Sequence, residues 1–352
     1  MFSYLKLFPY FCVMKKTLGI LLLLVVVTTE LRAQDSIAGR VPLVERFFRL
    51  LAKSNADTAY AVRHPYRFSI KPKLGTSFNT YHFAYTSAEG EQTRRYTLVS
   101  DPLFKLGVNV SYRYLTVGLQ KNVSHLFDKM RSDDMEYTLS ANGRKLGGDV
   151  VYSVSSRYTL TDDHNRGWKK ELNCFSSKRL QANGYFVFNH RRFSYPAAFT
   201  QSYRQKRSCG SVVIGLSYNY EELKLDVDAL PEEVTDHIGA PEYARRLTVS
   251  HFNVNGGYAY NWVISRRWMV HGTVLPTVSL FKRSRLEYAA RIEKLNVDKV
   301  NLGCIFRFSV LWDCNTRFGG MTAVMTLNNP SRRPVDIADL YVRTRLFYGF
   351  RF

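Results

Sequence analysis

Beyond its first 33 residues, the 352-residue chain lacks any apolar run of the length a membrane-crossing helix needs, about 20 residues. A bundle of spanning helices is therefore excluded. Cysteine is scarce: five in all, of which Cys174, Cys209, Cys304 and Cys314 lie past residue 33, with no paired C-x-x-C spacing suited to zinc. There is no glycine loop with the spacing of a phosphate cradle and no nucleotide fingerprint. Acids are few as well, 29 against 50 Lys and Arg, leaving a formal charge of +21. No metal and no cofactor is called for by these residues.

What is present begins with an export signal. Lys15 and Lys16 precede an apolar run from Leu18 to Val27, and Leu31-Arg32-Ala33 leads into Gln34 with a small residue at the cleavage position. That order is a secretory signal peptide over residues 1–33, with translation starting at Met1 or Met14. No cysteine closely follows the run, so a lipoprotein anchor is not expected. Export also removes nucleic acid from the partners of a basic chain. Lipid headgroups and small anionic solutes remain. In the oxidising periplasm the four cysteines either form disulfides or, as Cys209 and Cys304 sit in apolar strand patterns, serve as small hydrophobes.

The dominant signal afterwards is alternation with period two. Phe252, Val254, Gly256, Tyr258, Tyr260 and Trp262 share one face, opposite His251, Asn253, Asn255 and Asn261. Trp268, Val270, Val274, Val278 and Leu280 oppose His271, Thr273, Thr277 and Ser279. Val300 to Trp312, Val212 to Tyr220 and Phe104 to Tyr112 repeat the pattern. Short links near residues 112–114, 142–145, 265–266 and 313–315 alternate with long polar ones near 87–95, 122–134, 161–183, 221–246, 282–298 and 328–338. One link on the short side, residues 193–206, is longer than its peers. Residues 67–86 read either as one long strand or as a hairpin.

Short and long links in alternation, with apolar faces ending in aromatics, predict an all-β fold. The expected form is a transmembrane antiparallel up-and-down β-barrel of about 12 strands over residues 66–352, in the outer membrane. A periplasmic segment, 34–65, would precede it. There Leu43, Phe47, Leu50 and Leu51 recur at helical spacing, which fits a short helix in the lumen or at the rim, or an irregular extension. A soluble periplasmic β-sandwich is the competing architecture, since its strands alternate too.

The chain ends in a strand with Val342, Leu346, Tyr348, Phe350 and Phe352 alternating with Arg343, Arg345, Gly349 and Arg351. Tyr348, Phe350 and the terminal Phe352 resemble the signal by which the barrel-assembly machinery engages its clients. The run from Thr200 to Ser211, leading into Val212–Tyr220, and the run Leu106-Gly107-Val108-Asn109-Val110-Ser111-Tyr112-Arg113-Tyr114-Leu115 resemble an uncharacterised family of Bacteroides-like bacteria, domain of unknown function 4421. Cys209 stands where a small residue such as Ala is expected. The resemblance implies an outer-membrane barrel and supplies no activity.

Candidate chemistry lies on the polar faces. Lys71, Lys73, Lys105, Arg307, Arg343 and Arg345 fall there, and basic lumen residues favour anions. His251 and Asn253 are further lumen candidates. An outer-membrane phospholipase places Ser two residues after a strand-borne His, with an orienting Asn; here Asn253 occupies the Ser position, and His271 has Thr273 at that offset. Asp133-Asp134 and Asp162-Asp163-His164 offer carboxylates in predicted loops, where solvated charge is the simpler role. No catalytic residue is assigned. The expected role is a narrow anion-favouring pore or a structural envelope protein, with a lipid-modifying enzyme as the alternative.

Overall fold

The computed structural model describes Leu51 and residues 56–86, 93–124, 134–165, 167–238, 243–295, 301–328 and 337–352. The predicted signal peptide and most of the predicted helix of residues 41–53 lie outside these.

The strands, in chain order, are β1 (Ala61–Arg63), β2 (Phe68–Thr86), β3 (Thr93–Ser100), β4 (Leu103–Tyr112), β5 (Leu115–Asn122), β6 (Met135–Asn142), β7 (Leu146–Ser155), β8 (Tyr158–Asp162) and β9 (Lys169–Leu172). There follow β10 (Phe175–Val187), β11 (Tyr203–Gln205), β12 (Cys209–Leu225), β13 (Arg246–Val263), β14 (Trp268–Glu287), β15 (Ile292–Leu295), β16 (Asn301–Cys314), β17 (Arg317–Asn328) and β18 (Ile337–Arg351). Two short helices interrupt them, α1 (Tyr195–Phe199) and α2 (Glu232–Ile238). None of the described helices is long and apolar enough to cross a membrane.

Twelve strands make one antiparallel ring, in the order β2, β4, β5, β6, β7, β10, β12, β13, β14, β16, β17, β18. The last pairs with the first, from Ile337 opposite Phe83 to Arg351 opposite Ser69. Phe352 finishes the seam: its amide donates to the Phe68 carbonyl at 2.9 Å, and its carbonyl accepts from Arg67 and Phe68. A closed ring leaves no sheet edge, which is the requirement for strands in hydrocarbon. It also excludes the β-sandwich, which needs two sheets.

The alternation explains which way the wall faces. Outward go Leu74, Leu106, Leu119, Ile214, Leu216, Val254, Val274 and Leu302, all exposed. Inward go Lys105, Asn109, Gln120, Ser217, Asn253 and Ser309, all buried. In a water-soluble protein this order is reversed, so the outer solvent of this wall is apolar. Near the end where β2 begins and β18 stops, hereafter the near end, Phe68, Trp262, Trp268, Tyr348 and Phe350 face outward. Trp312 stacks on Tyr348 at 6.3 Å there, and Phe68 meets Tyr112 at 4.7 Å. This is an aromatic belt of the kind that sits at a membrane interface.

Residues 67–86 resolve into one long strand, β2, as one of the two readings had it. The expected long link at 161–183 is corrected: β8, β9 and the first half of β10 occupy it. β8 pairs with β3, which lies beside the far half of β2, so a four-strand flap extends past the ring at the far end. The long near-end link, residues 188–208, carries α1 and β11, and β11 pairs with β1 from the N-terminal segment. All four cysteines past residue 33 are free, so no disulfide forms.

Candidate functional site in the barrel lumen

Strand register sets the lumen in levels. Nearest the far end is a lid. Tyr96 and Leu98 of β3, Tyr158 and Leu160 of β8, Leu172 of β9 and Val234 of α2 bury against Tyr81, Phe175, Leu223 and Leu247 of the ring. Polar contacts trim this apolar mass. Trp168 stacks on the His237 ring at 4.0 Å, and His237 meets Asp162 at 2.9 Å. Burial pushes the Asp162 carboxyl up, but the amides of His164 and Asn165 and the His237 side chain outweigh it and hold it below the usual carboxylate range. Asp162 is thus structural, and Asp134 likewise accepts from the Ser156 amide and hydroxyl, while Asp133 lies outside the described residues. Among the described residues no cluster of His, Cys, Asp and Glu is arranged to hold a metal.

Below the lid, charges join across the lumen. Arg179 of β10 reaches Glu221 at 2.7 Å and Asp339 of β18 at 2.6 Å. β10 and β18 are on opposite sides of the twelve-strand ring. Tyr81 donates to the same Glu221, and the Arg179 guanidinium lies over the Tyr341 ring at 4.6 Å. At the next level Arg345 of β18 pairs with Glu136 of β6, and Arg343 stands 4.0 Å from the same carboxylate. Arg307 of β16 meets Asp149 of β7 at 3.1 Å, with Asn183 donating to the other oxygen at 3.0 Å. Buried pairs of this kind hold only when each charge has a partner. They also span the lumen, so the barrel at this height is bridged by side chains.

Between these pairs and the near end lies a cavity of about 70 Å³. By the usual measure of ~10–15 Å³ per water, it has room for several waters or one small ion. Lys71, Lys73, Arg307, Arg343 and Arg345 line it, with Asp149 as the one acid in its wall.

A plug forms the floor. Residues 188–208 turn inward, and Phe193, Tyr195, Ala197 and Ala198 bury against the wall. Pro196 at the start of α1 suits a first helical turn, where its missing N–H costs nothing. After it Gln201 adopts a left-handed backbone, with φ of 55°. Its side chain donates to the Ala198 carbonyl and accepts from Lys71 at 2.6 Å. Its carbonyl takes two bonds from Arg351, at 3.2 and 2.9 Å. Leu51 is helical and 2% exposed, packed in the same apolar cluster.

A third set ties the plug from the side. Thr273 and His271 lie 2.6 Å apart, and His271 meets Asn261 at 2.6 Å. The Asn261 amide then donates to the Ser194 carbonyl of the plug at 3.0 Å. This is the order hydroxyl, imidazole, amide of a nucleophile with its base and orienter. Yet His271 is wholly buried, with Phe193, Tyr195 and Phe199 rings around it at 5.1 to 6.2 Å. With the plug seated, the chain is an anchor.

Of the sequence candidates, Lys105, Arg307, Arg343 and Arg345 point inward, as do Lys71 and Lys73. Lys105 donates to Ser77 at 3.0 Å, one level above the cavity. Asn253 accepts from Ser279 at 2.6 Å and donates to Ser217 at 3.3 Å, so it ties three neighbouring strands of the wall. His251 is half-buried on β13, and no hydrogen bond joins it to a serine among the described residues. Tyr348, Phe350 and Phe352 all face outward at the seam. Sequence reasoning missed Glu136, Asp149, Arg179, Glu221 and Asp339. The inward phase of β6, with Glu136 two residues before Thr138, was the available signal for the first.

The profile of the family described as Domain of unknown function (DUF4421) matches residues 55–352. The chain belongs to that family. No curated protein matches it in sequence. Among solved structures it is similar to the outer-membrane protease OmpT of Escherichia coli, with 8% identity, a TM-score of 0.39, and 83% of this chain and 98% of that chain covered. It is also similar to the translocator domain of the autotransporter NalP from Neisseria meningitidis, with 11% identity, a TM-score of 0.37, and 88% and 95% covered. A third similar structure is the outer membrane protein OprG of Pseudomonas aeruginosa, with 10% identity, a TM-score of 0.29, and 82% and 97% covered. None of the three bears on activity, and the barrel itself stands on the ring of strand pairings.

Proposed function

We propose that this protein resides in the bacterial outer membrane as a non-enzymatic barrel, a gated conduit that favours small anionic solutes. The near end faces the periplasm in this reading, because outer-membrane barrels keep their short turns there. The observation that carries it is the wall of the lumen cavity: five bases, Lys71, Lys73, Arg307, Arg343 and Arg345, against one lining acid. Basic rings at a constriction attract anions and repel cations. The lid, the bridging pairs and the plug together close the resting lumen, so passage requires all three to yield.

Planar-bilayer recording tests this. The full chain should conduct weakly, and a chain with residues 190–206 replaced by a two-residue turn should conduct more, with an anion-signed reversal potential. A cation-signed potential in the plug-replaced barrel would sink the proposal. The Thr273–His271–Asn261 chain motivates the second reading, a lipid-modifying enzyme. Fatty-acid release from labelled lipid by the plug-replaced barrel, lost in Thr273→Val, would favour it.

We also read Tyr348, Phe350 and Phe352 as the assembly signal. Their outward stance at the seam leaves the side chains free for the machinery while the Phe352 backbone closes the ring. Deleting Phe352 should sharply reduce heat-modifiable protein in the outer-membrane fraction. Equal insertion of full-length and truncated chains would refute this.

A further inference from the structure

The bases of the cavity are not evenly satisfied. Arg345 has Glu136, Arg307 has Asp149, and Lys71 has Gln201 together with the Phe199 carbonyl at 3.3 Å. Lys73 differs: it is 3% exposed, and its Nζ has no hydrogen-bond partner among the described residues. Arg343 Nη1, Arg345 Nε and Arg307 Nε are likewise buried donors without an acceptor. Glu136 and Asp149 are the acids within reach, so the five lining bases outnumber the acids around the cavity by three. Several kcal/mol attach to each buried charge left uncompensated, and proteins rarely leave such groups unmatched.

One acceptor shares the spot. Asn109 Oδ1 is buried and has no donor. Register places Asn109 of β4 opposite Lys71 of β2 and opposite Gly118 of β5. A side chain at Gly118 would put its first carbon 1.9 Å from Asn109 Oδ1 and 3.2 Å from Lys73 Nζ. The two polar atoms therefore lie beside one backbone position, where the absence of a side chain on residue 118 leaves room for the Asn109 carboxamide. A ligand there meets several basic donors and, in Asn109 Oδ1, a neutral acceptor that still lacks a donor.

We propose that the cavity binds one small oxyanion that carries its own hydroxyl, hydrogenphosphate being the simplest. The inference deepens the anion reading given above. Lys73, Arg343 and Arg345 supply charge-assisted donors to the unprotonated oxygens. The ligand's hydroxyl donates to Asn109 Oδ1. Sulfate at neutral pH has no proton to give and leaves that acceptor unsatisfied, so the site discriminates between two ions of nearly equal size and charge.

Isothermal titration of the full-length barrel in detergent micelles at pH 7.5 and low salt tests it, with inorganic phosphate, sulfate, chloride and glycerol 3-phosphate as probes. The expected result is one phosphate site, with sulfate and chloride weaker by at least about tenfold. Lys73→Met and Gly118→Ala should each weaken phosphate by about tenfold or more, the first by removing a donor and the second by pushing the Asn109 carboxamide out of its place. Heat-modifiable mobility verifies that each variant is folded. If a variant does not fold, the comparison of phosphate with sulfate on the wild-type chain decides.

Absence of phosphate binding overturns the proposal, as do equal affinities for phosphate and sulfate, or unchanged affinity in folded Lys73→Met. Glycerol 3-phosphate binding as tightly as phosphate overturns the free ion as ligand and assigns a phosphomonoester instead. Phosphate binding without anion-selective conductance in the plug-replaced barrel supports the site and removes the conduit. Anion-selective conductance without phosphate binding does the reverse.

Discussion

The lumen is closed twice, by means that differ in kind. At the far end the lid is an apolar assembly, with Tyr96, Leu98, Tyr158, Leu160, Leu172, Phe175 and Val234 buried together from separate loops and strands. At the near end the plug is one link of the chain, residues 188–208. Phe193, Tyr195, Ala197 and Ala198 bury against the wall, and hydrogen bonds from Lys71, Arg351 and Asn261 add directional ties to it. Apolar burial is non-directional and shared among many atoms, so no single contact releases it. A hydrogen-bonded attachment is a short set of discrete ties to charged groups, each removable alone. The plug is thus the closure that a few substitutions can loosen, and the lid the one that yields only as a whole.

The strongest way to break this contrast is to empty the lid. Phe175→Ala removes a ring that meets Tyr158 edge-on at 4.8 Å, and a buried aromatic lost to Ala costs about 3–5 kcal/mol. Limited proteolysis of the far-end loops should accelerate by about a hundredfold or more, while bilayer conductance stays low because the plug is untouched. A conductance rise equal to that of plug removal would make the lid the gate.

Cutting the plug's ties should do the opposite. Lys71→Met together with Arg351→Met removes charge-assisted bonds worth about 1.5–3 kcal/mol each. Openings in the bilayer should become about a hundredfold more frequent, with loop proteolysis unchanged. If openings stay as rare as in the wild type, the apolar face of the plug holds it without them.

Alkali offers a titration of the same tie. Burial pushes the Tyr203 hydroxyl up to about 12, with Tyr114 beside it adding to the effect. A raised value means the seated plug favours the neutral phenol. Its contribution is intact below pH 10, where a free phenol is neutral too, and is lost as pH climbs from about 10 to 12. About 2–3 kcal/mol is at stake, by the rule of ~1.4 kcal/mol per pKa unit. Openings should increase over that range in the wild type and to a smaller extent in Tyr203→Phe; identical pH profiles would remove Tyr203 from the attachment.

The smallest effect belongs to a charged clasp of the lid, Asp162 with His237. Asp162, held below the usual carboxylate range, contributes as a carboxylate, so its part is present at neutral pH and fades as pH falls below about 4. Asp162→Asn should speed far-end proteolysis by roughly fivefold, about 1 kcal/mol for a partly screened bond, and should flatten its acid dependence. No change in either would make the His237 contact incidental.

Alternation along the chain made the wall readable, down to its strand number and the inward stance of Lys73, Arg307, Arg343 and Arg345, because period two is a property of each strand alone. Residues 161–183 misled for a related reason: Lys169, Lys170, Glu171 and Asn173 look like a solvated loop, yet the segment carries β9 and the start of β10. There the pairing partner, not local composition, chose the structure. The Thr273 offset after His271 was also visible, but its orienter Asn261 belongs to the neighbouring strand and its burial to the plug.

By itself the sequence determined the barrel: one face of each strand is apolar, the other polar, and the terminal strand ends in aromatics that suit a membrane rim. Only the tertiary structure decided that the lumen is bridged and stoppered. Arg179 and Asp339 are partners because ring closure sets β10 and β18 face to face, and residues 188–208 are a plug because the lumen beside them offered Lys71 and Arg351 as donors. Period and burial preference are local and add along the chain. Pairing across a lumen depends on how many strands close the ring, and that quantity exists only once the ring has closed.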